Sequence, residues 1–207
     1  MTNAGATTED ADNDLSRRKF LTVALGAVAG AGAVFTAVPF LSTWAPSERV
    51  RAAGAPAKFD LSKLQPGQMA TIVWRKQPIY IVNRPKDVTA KLAEHDSRLK
   101  DPQSAESQQP DYAKNGTRSV RDDLLVLIGT CTHLGCLPKQ RFEPGDATLG
   151  TDWPGGFYCP CHGSRFDLAG RVFNGSPASL NLRIPPYHVD GNLLTVGEDG
   201  AATTGAA

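Results

Sequence analysis

The 207-residue sequence predicts an all-β head preceded by one N-terminal transmembrane helix. Three observations carry that expectation. An uncharged run extends from Phe20 to Leu41; the second half holds short β-branched and aromatic runs broken by turn residues; and 20 Gly with 15 Pro favour strands and turns over a helical bundle. The charge balance, 22 Lys/Arg against 21 Asp/Glu, includes no dense basic block, so nucleic acid is not an expected partner. No internal repeat, phosphate-binding Gly loop or Ser-His-Asp arrangement stands out.

Residues 1–15 are polar and acidic without apolar periodicity, which predicts a disordered cytoplasmic tail. Residues 16–44 then combine "SRRKFL" with the uncharged run, whose 22 residues would reach about 33 Å as a helix at ~1.5 Å per residue. That length crosses a hydrocarbon core of ~30 Å, so the segment reads as a retained anchor. A cleaved signal is the competing reading, kept open by small-residue sites such as "AGAPA" at 53–57. The paired Arg17 and Arg18 before a mildly hydrophobic, Ala- and Gly-rich run fit a twin-arginine export signal, a route for proteins that fold around a cofactor first. "GAVAG" at 26–30 fits small-xxx-small helix packing, although a Gly-rich signal contains such spacing by chance. Trp44 suits the membrane interface, and the small, Pro-bounded stretch 45–60 reads as a flexible tether.

The head is expected over 61–197. "MATIVW" (69–74) and "PIYIVN" (78–83) predict a hairpin across "RKQ", and "DLLVLIGT" (123–130) predicts a buried strand ending at Cys131. Shorter strands are expected at "GFYC" (156–159), "RFDL" (165–168), "LNLRI" (180–184) and "NLLTVG" (192–197). A polar insertion, 84–122, separates hairpin from buried strand; "DVTAKLAEHDSRL" within it has helical spacing. Residues 198–207 read as a disordered tail.

All four cysteines fall in two short stretches, "CTHLGC" (131–136) and "CPCHGS" (159–164), together with two of the four histidines. Such donors suit zinc or an iron–sulfur cluster. Zinc fingers usually pair their ligands as C-x2-C or H-x3-H. Here Cys131-x-His133 and Cys159-x-x-His162 each offer one thiolate and one imidazole, as in a Rieske [2Fe–2S] centre. A thiol–disulfide exchange reading of "CPC" is weaker, because such enzymes use C-x-x-C at a helix start.

With these motifs, the anchor, the tether, the insertion segment "DPQSAESQQPDYAKNGTRS" and "NGSPASLNLRIPPY", the chain resembles the Rieske iron–sulfur subunits of bacterial ubiquinol–cytochrome c reductase (the cytochrome bc complex) over nearly all of 16–197. The resemblance implies a Rieske-type antiparallel β-sandwich head with a cluster-binding subdomain formed by the 131–164 loops. It implies that Cys131 and Cys159 bind one iron and His133 and His162 the other, with Cys136 and Cys161 joined as a disulfide. Such a bond needs an oxidising compartment, which the export signal provides. Leu134 would cover the cluster, Ser164 would donate a hydrogen bond to a bridging sulfide, and Pro177 would sit in a loop packed over the site. Two departures are visible. Ser179 stands where the family commonly has a second proline, and Phe166 where many members have a tyrosine that hydrogen-bonds a ligand sulfur, here that of Cys131.

The same resemblance implies the activity: ubiquinol oxidation with coupled proton transfer at His162, then electron delivery to a membrane-bound c-type cytochrome. It also implies a cytochrome b partner, a dimeric complex, and a bacterial inner-membrane location, single-pass, with the N-terminus cytoplasmic and the head periplasmic. Small Rieske subunits of exported molybdenum oxidases, such as arsenite oxidase, are the alternative; they generally lack an insertion like 84–122. Rieske ferredoxins and oxygenase domains typically lack the extra cysteine pair and the anchor, and a structural zinc module would give no visible or EPR signal. His95, in the polar insertion, is expected at the solvated surface, and His188, before a turn, is expected to be structural or exposed.

Overall fold

A computed structural model describes residues 8–48, 50, 54–106 and 108–199. The chain divides into two compact units, Met1–Arg51 and Ala52–Ala207. The first holds helix α1, Thr8–Ser42, of which Ser16–Ser42 is long and apolar enough to cross a membrane. Its large apolar side chains, Phe20, Leu25, Val28 and Phe35 among them, all stand open rather than packed on protein. A helix apolar on every side suits hydrocarbon, where its backbone groups are satisfied internally. Trp44 follows the helix, its ring 6.1 Å from that of Phe40. Part of the expected disordered tail is therefore helical, from Thr8 onward. Elongating an existing helix avoids the cost of a new nucleus. Residues 1–7 lie outside the described residues.

In the middle of the expected tether, residues 49 and 51–53 also lie outside the described residues. Its last four residues are not tether: Ala57–Asp60 form strand β1, paired antiparallel from Ala57↔Val196 to Asp60↔Leu193. Ala57 and Phe59 pack against the core, which explains why this stretch joins the head.

Among the described residues, three antiparallel sheets of three strands build the head. The first contains β2 (Met69–Trp74), β3 (Gln77–Asn83) and β4 (Leu124–Ile128), in that order. The β2–β3 turn is shorter than "RKQ" suggests, because Gln77 already pairs with Trp74. Arg75 and Lys76 take φ of 49° and 62°, the left-handed pair that matches strand twist in a two-residue hairpin. All five β4 residues are buried. The other two sheets are formed by β5 (Lys139–Arg141), β6 (Gly156–Cys159) and β7 (Ser164–Asp167), in order β5-β6-β7, and by β1, β8 (Tyr187–Asp190) and β9 (Leu193–Val196), in order β1-β9-β8. One core unites them, with Ile81, Leu125, Leu127, Phe157, Phe166 and Leu194 inaccessible to solvent.

The strand expected at 180–184 does not form. The segment spends single bonds in two directions: Leu182 N donates to Gly170 O at 2.8 Å, and Arg183 O accepts from Ile128 N at 2.8 Å. Pro185 and Pro186, which cannot donate, then close off any ladder.

The insertion holds helix α2 (Lys86–Ala90) and two 3-10 turns, Leu92–Arg98 and Asp111–Ala113. Polar in composition, it still buries Arg84 and Arg118, and with Arg171 these three side chains converge on the turn after β7. Arg84 Nη1 donates to Leu168 O at 3.0 Å, and Arg118 Nη1 to Ala169 O at 3.2 Å. Arg171 donates to Asp167 Oδ2 at 2.8 Å, to Asp96 Oδ1 at 2.7 Å and to Leu92 O at 2.7 Å. Burial lowers the Arg84 and Arg118 guanidinium pKa values to about 10, so both stay charged at neutral pH. Burial opposes ionisation of Asp167, but His95, the Arg171 guanidinium and the Arg171 N–H outweigh it and hold the carboxyl below its usual range.

His95 is accordingly not a surface residue. It is 8% exposed, stacks on Phe173 at 5.9 Å and brings Nε2 within 3.4 Å of Asp167 Oδ2. His188 is partly exposed on β8, with Nδ1 3.3 Å from Glu198 O.

Candidate iron–sulfur centre

The buried strand β4 delivers Cys131 to the first loop, while the β6–β7 hairpin presents the second. Both loops close the same way. Gly135 N donates to Cys131 O and Gly163 N to Cys159 O, each at 2.9 Å. Gly135 and Gly163 adopt φ of 80° and 81°, which lets the chain reverse after each histidine where a side chain would be strained. Cys131 N adds a bond to Cys136 O at 2.7 Å, and Cys159 and Ser164 face each other as the last pair of the β6–β7 ladder. Thr132 Oγ1 ties the first loop to Leu180 O at 2.6 Å, a contact that sequence reasoning missed, since nothing marks that threonine among the cysteines.

These turns bring the expected residues together in pairs. Cys136 and Cys161 form the disulfide. Cys131 and Cys159 remain free thiols, 4% and 2% exposed. Burial raises the pKa of the Cys159 thiol; the backbone N–H of Cys161 opposes that rise and the adjoining Cys131 thiol reinforces it. The His133 and His162 rings lie 4.8 Å apart, edge to face at 88°. His133 is half-buried and His162 exposed.

The remaining site residues lie around these pairs. Ser164 is fully buried, its Oγ accepting from Ala178 N at 3.1 Å, directly after Pro177. Phe166 is fully buried, on the same face of β7 as Ser164 and in the same core cluster as Cys131 and Cys159. Leu134 is 70% exposed at the tip of the first loop.

The sulfurs of Cys136, Cys159 and Cys161 lie within 4.8 Å of one another, but the disulfide spends two of them and leaves no three-thiolate site there. The donors that remain are two buried thiols and two adjacent imidazoles. That set fits a Rieske cluster: soft thiolates for one iron, neutral nitrogens for the other.

Matches to known proteins agree. Residues 58–186 match the model of the Rieske [2Fe-2S] domain, and residues 7–47 match that of the Ubiquitinol-cytochrome C reductase Fe-S subunit TAT signal. Fold and site thus define a Rieske iron–sulfur protein with an N-terminal export signal, and the chain carries a [2Fe–2S] cluster of the Rieske type. A ubiquinol-cytochrome c reductase iron-sulfur subunit from Allochromatium vinosum is 50% identical over 88% of this chain and 89% of its own. One from Bradyrhizobium diazoefficiens is 40% identical over 87% and 93%. The mitochondrial cytochrome b-c1 complex subunit Rieske of Schizosaccharomyces pombe is 37% identical over 84% and 67%. The chain belongs to the family of ubiquinol–cytochrome c reductase iron–sulfur subunits. These relatives favour that family over the molybdenum oxidase alternative, and with α1 they make the protein membrane-anchored.

Proposed function

We propose that this chain is the electron-transfer subunit of a cytochrome bc complex, oxidising ubiquinol with coupled proton transfer and delivering the electron to a membrane-bound c-type cytochrome. Cys131 and Cys159 would hold one iron, His133 and His162 the other. Bound there, the cluster supplies one-electron chemistry at a potential raised by two neutral imidazoles in place of thiolates.

The chain's own residues do the rest. His162, the more exposed imidazole, accepts a hydrogen bond from a quinol hydroxyl and then its proton. Leu134, 70% exposed on the first loop, presents an apolar surface, which fits contact with a hydrophobic quinol pocket provided by a cytochrome b partner. The Cys136–Cys161 disulfide clamps the two loops so that both imidazoles stay side by side. α1 anchors the subunit in the bacterial inner membrane with its N-terminus cytoplasmic and the head periplasmic, and the complex is a dimer.

One observation carries this reading: two free buried thiols and two adjacent imidazoles are brought together by paired loops. Affinity purification from native membranes tests it. Co-purifying b- and c-type haem is the expected result; a molybdenum partner would overturn it. Replacing residues 51–56 with prolines, which fix φ and extend the chain, tests head movement. Cluster assembly should survive while quinol–cytochrome c turnover falls sharply, and normal turnover would mean that the head does not move.

A further inference from the structure

The Lys100 side chain of the insertion reaches the loop around Pro177. Leu99 forms an isolated bridge with Phe173, and Lys100 N donates to Val172 O at 3.0 Å, which fixes the backbone of this stretch against the segment after β7. From there the Lys100 ammonium donates to Ser176 O at 2.8 Å and to Ala178 O at 2.7 Å, the carbonyls on either side of Pro177. Asn181 Nδ2 adds a bond back to Asp101 O at 2.9 Å.

Two further facts give this contact a purpose. Pro177 has no N–H, and Ser179 leaves the loop without the constraint a second proline would add, so the loop depends on outside donors for its shape. Ala178 N, in turn, donates to Ser164 Oγ at 3.1 Å. A hydroxyl carries one donor and two acceptor sites, so accepting from Ala178 leaves the Ser164 O–H to be donated elsewhere. Among the described residues that O–H meets no protein acceptor.

We propose that Lys100 is a positioning residue for the cluster: by holding the Ser176 and Ala178 carbonyls it fixes the Pro177 loop, and through Ala178 N–H it orients the Ser164 hydroxyl. The proposal rests on the reading of Ser164 as a donor to a bridging sulfide. It assigns the insertion a role in setting the redox potential as well as in packing.

EPR-monitored redox titration of the purified, cluster-loaded protein tests this with four chains: wild type, Lys100→Met, Ser164→Ala and the double variant. Lys100→Met keeps the apolar stem and removes the donors. It should shift the redox equilibrium about threefold toward the oxidised form, or ~30 mV at 59 mV per tenfold. Ser164→Ala should shift it further, and Lys100→Met should add nothing in the Ser164→Ala background, because both act through one hydroxyl. Lys100→Arg, which keeps donors within reach, should restore the wild-type midpoint. Should Lys100→Met fail to load its cluster, Lys100→Gln replaces it in the same four-chain cycle, and amide exchange at Ala178 should quicken in it. An unchanged midpoint in Lys100→Met or its replacement, with Ser164→Ala lowered, would overturn the role of Lys100 alone. An equal drop in both backgrounds would do so too, by showing that the ammonium charge acts directly. No drop in Ser164→Ala would contradict the underlying reading of Ser164.

Discussion

The two ligand loops close with the same turn and are supported differently. The first leaves β4, whose five residues are all buried, and ends at half-buried Cys136 before an exposed three-residue edge strand. The second is the end of a hairpin, with the Cys159↔Ser164 pair as its last rung and Cys161 and His162 exposed beyond it. One loop is fastened through the core, the other through a ladder and the Ser164–Ala178 contact. On the ligand set proposed above, two matching imidazoles would therefore have unequal tasks. The half-buried His133 suits holding metal, while His162 suits holding metal and meeting a proton donor.

The largest expected effect would come from removing a ligand. Cys131→Ala, His133→Ala, Cys159→Ala and His162→Ala should each abolish the cluster, seen as loss of visible absorbance and EPR signal, because on the proposed ligand set each would empty a coordination position. Retention of a normal cluster in any of them would break the pairing of the loops. Next is the disulfide, which spans a sequence separation of 25 and on chain-entropy grounds is worth about 3.5 kcal/mol. Cys136→Ala should lower Tm and speed cluster loss; behaviour indistinguishable from wild type would make the clamp irrelevant.

Smaller effects separate the loops more finely. A Cβ on Gly135 or Gly163 would meet nothing within 4 Å, so alanine there should cost only the left-handed backbone penalty, about 1–2 kcal/mol at each site. Unequal Tm losses would show that the loops are not equivalent turns. The smallest effect concerns β7, the strand that follows the second loop. A phenol at Phe166 would add one donor near the ligands, and a net hydrogen bond of ~0.5–1.5 kcal/mol corresponds to roughly 20–65 mV. Phe166→Tyr should therefore raise the midpoint by a few tens of millivolts; an unchanged value with an intact cluster would place the ring away from the ligand sulfur.

What could be read from sequence was local. Cysteine and histidine spacing pointed to the two loops that the fold brings together, because the residues of each loop are close in the chain. The β2–β3 hairpin and β4 were legible from apolar pattern. β5, "KQR", was not, since all three residues are exposed and its only strand signal is its partner β6. "LNLRI" alternates like a strand yet serves as a connector, because its hydrogen-bond partners lie in two different segments. His95, Arg84 and Arg118 were illegible for the same reason: burying them depends on Asp167 and on carbonyls of residues 168–170, which come from the far side of the cluster loops. Lys100 looked like any surface lysine until Ser176 and Ala178 were placed beside it.

On the proposed ligand set, one thiolate pair and one imidazole pair would hold two unlike irons. The Mössbauer spectrum of the iron-enriched, chemically reduced protein tests it most directly. Two iron sites in equal amount and clearly inequivalent are expected, with the added electron localised on the imidazole-bound one. Two equivalent irons, a single mononuclear iron, or a protein that takes up zinc in place of iron and sulfide would contradict it.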